Sequence, residues 1–289
     1  NFEESDYESF GIIDENGFLT NAGALLADES PIRHSRLFCT RWNGLDKAPG
    51  IVDAIDDKEY NGGLINLLQS GIEFVNNNSK KMWKKTHNSR IEMPDYPERA
   101  VLEGIVNALI HRNYLELGSE VHIDMFDNRL EIYSPGGMCD GSRVQDRDIM
   151  KVPSRRRNPF IADIFNRLKF MDRRGSGFKK ILSDYRDNEF YIKELDPIFY
   201  SDNDSFLLIL KNINYYYDIT DTYKRTAKKT QQNIVKIIAY LTDHNGATSK
   251  EIANILKLST SRTRSILNQM NNIHSTGENN GKRYWLDKK

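Results

Sequence analysis

The sequence predicts an α/β body joined by a linker to a C-terminal winged helix-turn-helix, on three observations. Helical and alternating apolar patterns interleave over residues 1–215. From residue 228, three short helical patterns are followed by two strand-like runs around glycines. The charge divides along the same line. Residues 224–289 hold 13 Lys or Arg against 4 Asp or Glu, a net of +9, whereas the other 223 residues hold 28 against 37, a net of −9.

In chain order, "LTNAGALLA" reads as a short helix begun by Thr20 or Asn21, and "SRLFCTRWNG" (Ser35 to Gly44) as a buried strand closed by an Asn-Gly turn. An amphipathic helix is expected from about Lys58 to Asn76, with Leu64, Leu67, Leu68, Ile72 and Phe74 facing the core. "YPERAVLEGIVNALIHRNY" predicts a helix over 96–112. Pro97 suits its first turn, and Val101, Ile105, Ala108 and Leu109 recur at helical spacing. "EVHIDMFDNRLEIYSP" gives two alternating runs around Asp127-Asn128, a hairpin. Residues 138–174 read as irregular and charged, apart from a short helix at "FIADIFNRL"; "GSGFKKILSDY" opens a helix at glycines, and "SFLLIL" is a last apolar strand.

The boundaries that follow are 1–95 for the N-terminal part of the body, 96–215 for its second part, 216–227 for a linker, and 228–289 for the terminal module. In that module "QQNIVKIIAYLTDHNG" is a helix stopped by Gly246, and Thr248 with Glu251 has capping-box spacing. Its expected core is Ile234, Ile237, Ile238, Leu241, Ile252, Ile255, Leu256, Leu258, Ile266, Leu267 and Met270.

No run approaches the length of a membrane span, and the first residues carry no signal-peptide pattern, so a cytoplasmic chain without a membrane partner is expected. Two cysteines, Cys39 and Cys139, are too few for a disulfide framework or a four-ligand zinc site, and the six histidines lack metal-site spacing.

Glu103 and Asn107 fall one helical turn apart on a shared face. Taken alone they describe a solvated pair. Their order in the chain says more: Glu-x-x-x-Asn, a hairpin, a Pro-Gly-Gly turn, a basic segment, then Gly-Ser-Gly opening a helix. This order resembles the Bergerat fold shared by gyrase, Hsp90, histidine kinases and MutL, an α+β sandwich of the GHKL type. The resemblance implies that Asn107 holds Mg²⁺ through a bound nucleotide, ATP in the first instance, and that Glu103 is the candidate base. It places Ser134, Gly136 and Gly137 at the first glycine box, and Gly175, Ser176 and Gly177 at the second. Arg156 and Arg157, within the Arg155–Arg157 run, become a lid over the phosphates. One departure is plain: the stretch Ser134–Gly137 has no carboxylate to meet an adenine amino group.

Four segments, "PERAVLEGIVNALIHRNY", "RLEIYSPGGM", "SRRRNPFIADIFNRL" and "MDRRGSGFKKI", together resemble a family of prokaryotic regulators described as divergent AAA or RecG-like. Its members carry a Schlafen/AlbA-type DNA-binding domain ahead of this region, so the chain is expected to be a piece of a longer protein. No Gly-x-x-x-x-Gly-Lys-Ser/Thr loop occurs, which argues against a RecG-type motor.

In the terminal module Thr260, Ser261, Arg262 and Arg264 open the third helix, the element that enters the major groove in helix-turn-helix proteins. Lys282 and Arg283 on the wing can reach phosphates. The expected function is a DNA-binding transcriptional regulator with a nucleotide-binding body and double-stranded DNA as its partner. The alternatives are a Mg²⁺-dependent ATPase acting on DNA, and a structural body that homodimerises to present the winged helix.

Overall fold

The computed structural model describes residues 3–47, 52–85, 87–171, 176–216, 228–277 and 282–287. The chain divides into two compact units, Asn1–Tyr191 with Leu195–Asn212, and Ile192–Glu194 with Ile213–Lys289.

The first unit is built on a six-stranded sheet. Its strands are β1 (Arg36–Trp42), β2 (Ala54–Asn61), β5 (Val121–Met125), β6 (Arg129–Pro135), β7 (Ile198–Ser201) and β8 (Ser205–Lys211), in the order β2-β1-β5-β6-β8-β7. β1 and β5 run parallel and every other neighbouring pair is antiparallel. Three helices, α3 (Leu64–Asn78), α4 (Glu98–His111) and α6 (Gly177–Arg186), lie side by side across one face, with α4 in the middle. Leu37, Ile123, Ile132 and Leu208 alternate toward these helices and are buried. The opposite face carries Phe38 and Tyr133 on either side of His122, with ring centroids 5.3 and 5.9 Å away. Smaller elements complete the unit: α1 (Glu4–Ser9), α2 (Asn21–Leu26), capped by the Thr20 hydroxyl, α5 (Pro159–Arg167), and a separate hairpin of β3 (Lys81–Lys85) and β4 (Arg90–Pro94).

α4 approaches the sheet closely at Gly104. A Cβ there would lie 2.8 Å from Leu208 Cδ2 and 2.9 Å from Ile132 Cδ1, so a larger residue would require these side-chain ends to shift or the helix to lift. The expected helix from Lys58 is corrected: α3 begins at Leu64. Residues 54–61 form β2, an edge strand whose exposed Asp and Glu side chains give it no clean apolar alternation. Pro97 is the N-cap of α4 and precedes its first turn.

The second unit contains α7 (Lys228–Asp243), β9 (Ala247–Thr248), α8 (Ser249–Leu256), α9 (Thr260–Leu267), β10 (Ile273–Thr276) and β11 (Arg283–Leu286), the strands pairing antiparallel in the order β10-β11-β9. Ile234, Ile237, Ile238, Leu241, Ile252, Leu256, Ile266, Leu267 and Met270 are buried, whereas Ile255 and Leu258 are only half-buried. The Thr248 hydroxyl accepts from Glu251 N, and the Glu251 carboxylate accepts from Thr248 N at 2.6 Å, closing the capping box that opens α8. Residues 217–227, most of the expected linker, lie outside the described residues. Among the described residues no helix is long and apolar enough to cross a membrane.

Candidate functional site

α4 is buried nearly all round, so its C-terminal carbonyls cannot rely on water. The last four carbonyls of a helix lack intrahelical partners, and here four side chains supply them. Ser134 Oγ donates to Ala108 O at 2.7 Å and Tyr114 Oη to Leu109 O at 2.8 Å. Asn158 Nδ2 donates to Ile110 O at 2.7 Å, and Arg157 Nε to His111 O at 3.0 Å. At the other end, Asp184 of α6 accepts from Ala100 N at 3.0 Å, and burial raises its carboxyl above the ordinary range. α4 is therefore pinned at both ends with respect to the sheet and to α6.

This clamp positions a cavity of about 130 Å³, lined by α4 (Glu103, Asn107, His111), the turn after β6 (Ser134, Gly136, Gly137), the segment through Asp140 and Arg155, and the start of α6 (Ser176, Gly177). A single water needs only roughly a tenth of that volume, so the space suits a small molecule. Ile132, Phe178, Ile181, Phe199, Phe206 and Leu208 make one wall apolar.

The polar wall is built around Asn107, whose side chain makes no hydrogen bond among the described residues. A Cβ placed on Gly177 would sit 3.1 Å from Asn107 Nδ2 and 3.5 Å from Glu103 Oε2, so the missing side chain leaves the α6 N-terminus open beside both groups. Among the described residues no side chain caps that N-terminus, and the N–H groups of a first turn favour anions. Glu103, only 5% exposed, is held by Lys180 one turn into α6, with Nζ 2.7 Å from Oε1. Gly136 adopts a φ of +98°, which glycine reaches without strain, and a Cβ on Gly137 would meet the Asp202 carbonyl at 2.0 Å.

Several expected ligand groups are redirected. The Ser134 hydroxyl is spent on α4. Arg157 braces the glycine turn, its Nη2 donating to Gly137 O at 2.7 Å, as well as α4. Arg156 lies outside the cavity and pairs with Asp163 at 2.6 Å on the surface. Of the three arginines only Arg155 lines the cavity, 3.9 Å from Asp140. Hydrogen bonds from Ser142, helped by Arg147 and Arg155, hold the Asp140 carboxyl below its usual range. Gly175 lies outside the described residues. Among the described residues no cluster of three or more His, Cys, Asp or Glu could hold a metal by itself. A cation here would depend on the Asn107 oxygen and on a bound ligand's own oxygens, a donor set that fits Mg²⁺ with retained waters.

Sequence reasoning missed Lys180, although a Lys three residues after a helix-opening glycine falls one turn inside the helix and was readable as such. His111 and Arg112 stand at a helix C-terminus, a place that favours positive charge. The structure makes His111 neutral: burial, then Arg157 and Arg156, push its pKa down to about 4. The unfolded state therefore binds more protons than the folded state between pH 6.5 and about 4, and stability falls as pH drops through that window. His111→Gln is expected to flatten that part of the stability–pH curve in urea titrations at pH 4.5, 5.5 and 7. An unchanged slope would show that His111 is already charged in the folded state.

In the second unit, Ser261, Arg262 and Arg264 are exposed on α9 and Thr260 is half-buried; Arg264 Nε reaches Ser249 Oγ at 3.3 Å. On the strand side, Arg283 donates to Gly246 O at 3.0 Å, and Lys282 Nζ lies 5.5 Å from the Tyr284 ring centroid.

Residues 118–210 match the family model HATPase_c_4, described as "Putative ATP-dependent DNA helicase recG C-terminal". The matched stretch takes in the glycine turn, the Arg155–Arg157 run and the start of α6, but not Glu103 or Asn107. No curated protein gives a significant match. Among solved structures, the DIP2311 protein from Corynebacterium diphtheriae is similar in fold, with a TM-score of 0.59 and 16% identity over 99% of this chain and 57% of that one. The body thus contains an ATPase-like domain related to the RecG C-terminal family.

Proposed function

We propose that the cavity beside α4 binds a nucleotide with Mg²⁺, and that the body serves as the sensor of a DNA-binding regulator. The observation that carries the nucleotide reading is the unengaged Asn107 side chain facing the side-chain-free start of α6. The Asn107 oxygen would hold the metal, and the first-turn N–H groups of α6, with Arg155 and Lys180 nearby, would take the phosphates. The wall of Ile132, Phe178, Phe206 and Leu208 would cover the base. When bound, Mg²⁺ supplies charge neutralisation to the phosphates. With no carboxylate free on the glycine turn and Ser134 Oγ donating to Ala108 O, adenine selectivity falls to backbone groups.

The Lys180–Glu103 pair favours a sensor over a hydrolase, because the ion pair occupies the carboxylate oxygen that would otherwise be free to orient an attacking water. Isothermal titration calorimetry of ATP, ADP and GTP with Mg²⁺ is expected to show saturable binding. The absence of heat with all three up to millimolar concentrations would end the nucleotide reading. Should the chain instead hydrolyse ATP, Glu103→Gln would lower turnover by roughly 10²–10⁴-fold while binding persists. Measured Mg²⁺-dependent turnover with that loss would move the protein to the class of DNA-acting ATPases.

We read the second unit as a winged helix that binds duplex DNA through Ser261, Arg262 and Arg264 on α9, with Lys282 and Arg283 on the wing. Support comes from the exposure of the α9 side chains and the +9 charge of residues 224–289. The log–log salt slope of binding is expected to be about −0.9 per phosphate contacted. Arg262→Ala should cost roughly 1–3 kcal/mol if the side chain reads bases, while Lys282→Ala should weaken all sequences alike and flatten the slope by about one. Salt titrations against mixed duplexes measure both, and salt-insensitive behaviour would make the unit a protein-interaction module.

A further inference from the structure

The −9 carried by residues outside 224–289 is an average, and it hides a local reversal. Residues 80–92 hold five Lys or Arg (Lys80, Lys81, Lys84, Lys85, Arg90) against one Glu. They form the β3–β4 hairpin, a two-stranded sheet that hydrogen-bonds to no other strand among the described residues. At physiological ionic strength charges are screened over roughly 8 Å, so a ligand at this hairpin meets the local excess and not the distant acid.

The register decides what the hairpin displays. Trp83 lies opposite Glu92, Lys85 opposite Arg90 and Lys81 opposite Pro94, so Lys81, Trp83, Lys85 and Arg90 share one face. Trp83 is 58% exposed, a large indole left in water, and the Arg90 guanidinium lies 5.8 Å from its ring centroid. Lys85 and Arg90 are exposed; Arg90 also pairs with Glu92, and Lys81 with Glu98 at 3.0 Å. The base of the hairpin is fixed. Asp95, 5% exposed, accepts from Lys80 N at 2.8 Å, its own N–H donates to Lys80 O at 3.1 Å, and Met93 is buried. A firmly rooted strand pair thus presents an exposed aromatic plane with Arg90 and Lys85 on its face, beside the single carboxylate of Glu92.

A flat aromatic surface among cations matches a ligand that is planar and anionic at short repeats. Duplex nucleic acid offers the phosphates but hides its base faces, whereas a single strand offers both. We propose that the β3–β4 hairpin is a binding site for single-stranded nucleic acid, with a base stacked on Trp83 and the backbone held by Lys85 and Arg90. This site is independent of the nucleotide cavity and of the proposed winged helix.

The test uses the full chain carrying Arg262→Ala and Arg264→Ala, which mutes the second unit, with fluorescein-labelled oligothymidylate, oligouridylate and a duplex of equal length. Binding of a single strand is expected to quench tryptophan emission and to weaken with salt, with a slope of about −0.7 per phosphate. Adding Trp83→Ala should reduce affinity roughly 5- to 100-fold, as the loss of one stacked base does, whereas Trp83→Phe should retain most of it. Lys85→Glu should reduce affinity and flatten the slope. Trp83 is exposed, so an unchanged melting temperature identifies these losses as binding effects. Equal affinity of the Trp83→Ala variant and its parent, or tighter binding of the duplex through the hairpin, would overturn the proposal.

Discussion

Replacement of Arg112 by Ala is expected to destabilise the first unit by about 3–5 kcal/mol, a third or more of a typical domain's stability. Arg112 is 1% exposed, and its guanidinium donates to His34 O at 2.6 Å and to Ser119 O at 2.7 Å. It also lies 4.9 Å from the Tyr114 ring centroid, and burial lowers its pKa. The substitution leaves two carbonyls without their donors, opens a void of several methylenes and removes the cation from Tyr114. Differential scanning calorimetry should record a drop of roughly 6–20 °C. Arg156→Ala is the control. Its ion pair with Asp163 is surface-exposed, so its loss should stay within about 0.5 kcal/mol. Similar losses for the two variants would mean that Arg112 contributes no more than an ordinary surface ion pair.

The second large effect concerns the cavity. Gly177→Val places methyl groups where the first-turn N–H groups of α6 face Asn107 and is expected to weaken nucleotide binding about 100-fold. Asn107→Ala removes the oxygen donor and should cost about 10- to 150-fold, the range for a lost hydrogen bond to a charged group. Neither change touches the buried apolar core between sheet and helices, so melting temperatures should move little. Calorimetric titration with Mg²⁺–ATP gives the answer, and full affinity in both variants would place the nucleotide elsewhere.

Much of this arrangement was legible before any coordinates. The apolar spacing of Val101, Ile105 and Leu109 announced α4, the alternation on either side of Asp127-Asn128 announced the β5–β6 hairpin, and Thr248 with Glu251 announced the start of α8. These signals are local, and each element obeys its own period. What escaped was set by partners distant in sequence. β2 is an edge strand whose middle carries the exposed charges Asp57, Lys58 and Glu59, so no alternation marks it. "KMWKK" has no apolar face to read as a strand. Ser134 and Arg157 look like phosphate ligands by type and position, yet both are occupied by carbonyls of α4. Nothing in the sequence says that a buried helix end will need four donors, because that need arises only once the helix is enclosed.

The parallel pairing of β1 with β5 bears on how the chain reaches this state. Leu37 meets Val121 across a separation of more than eighty residues, so the β1–β5 seam closes a loop that holds α3, the β3–β4 hairpin and α4. Until then β1 has β2 on one side and a bare hydrogen-bonding edge on the other, next to the apolar Leu37 and Cys39. Contacts of such long range slow the search for the native state, since loop closure must precede the gain from pairing. If β1 and β2 pair before residues 121–125 are available, they form an open-edged pair that is a template for mispairing between neighbouring chains. The exposed charges of β2, Asp57, Lys58 and Glu59, guard the far edge of such a pair, and the inner edge is closed by β5.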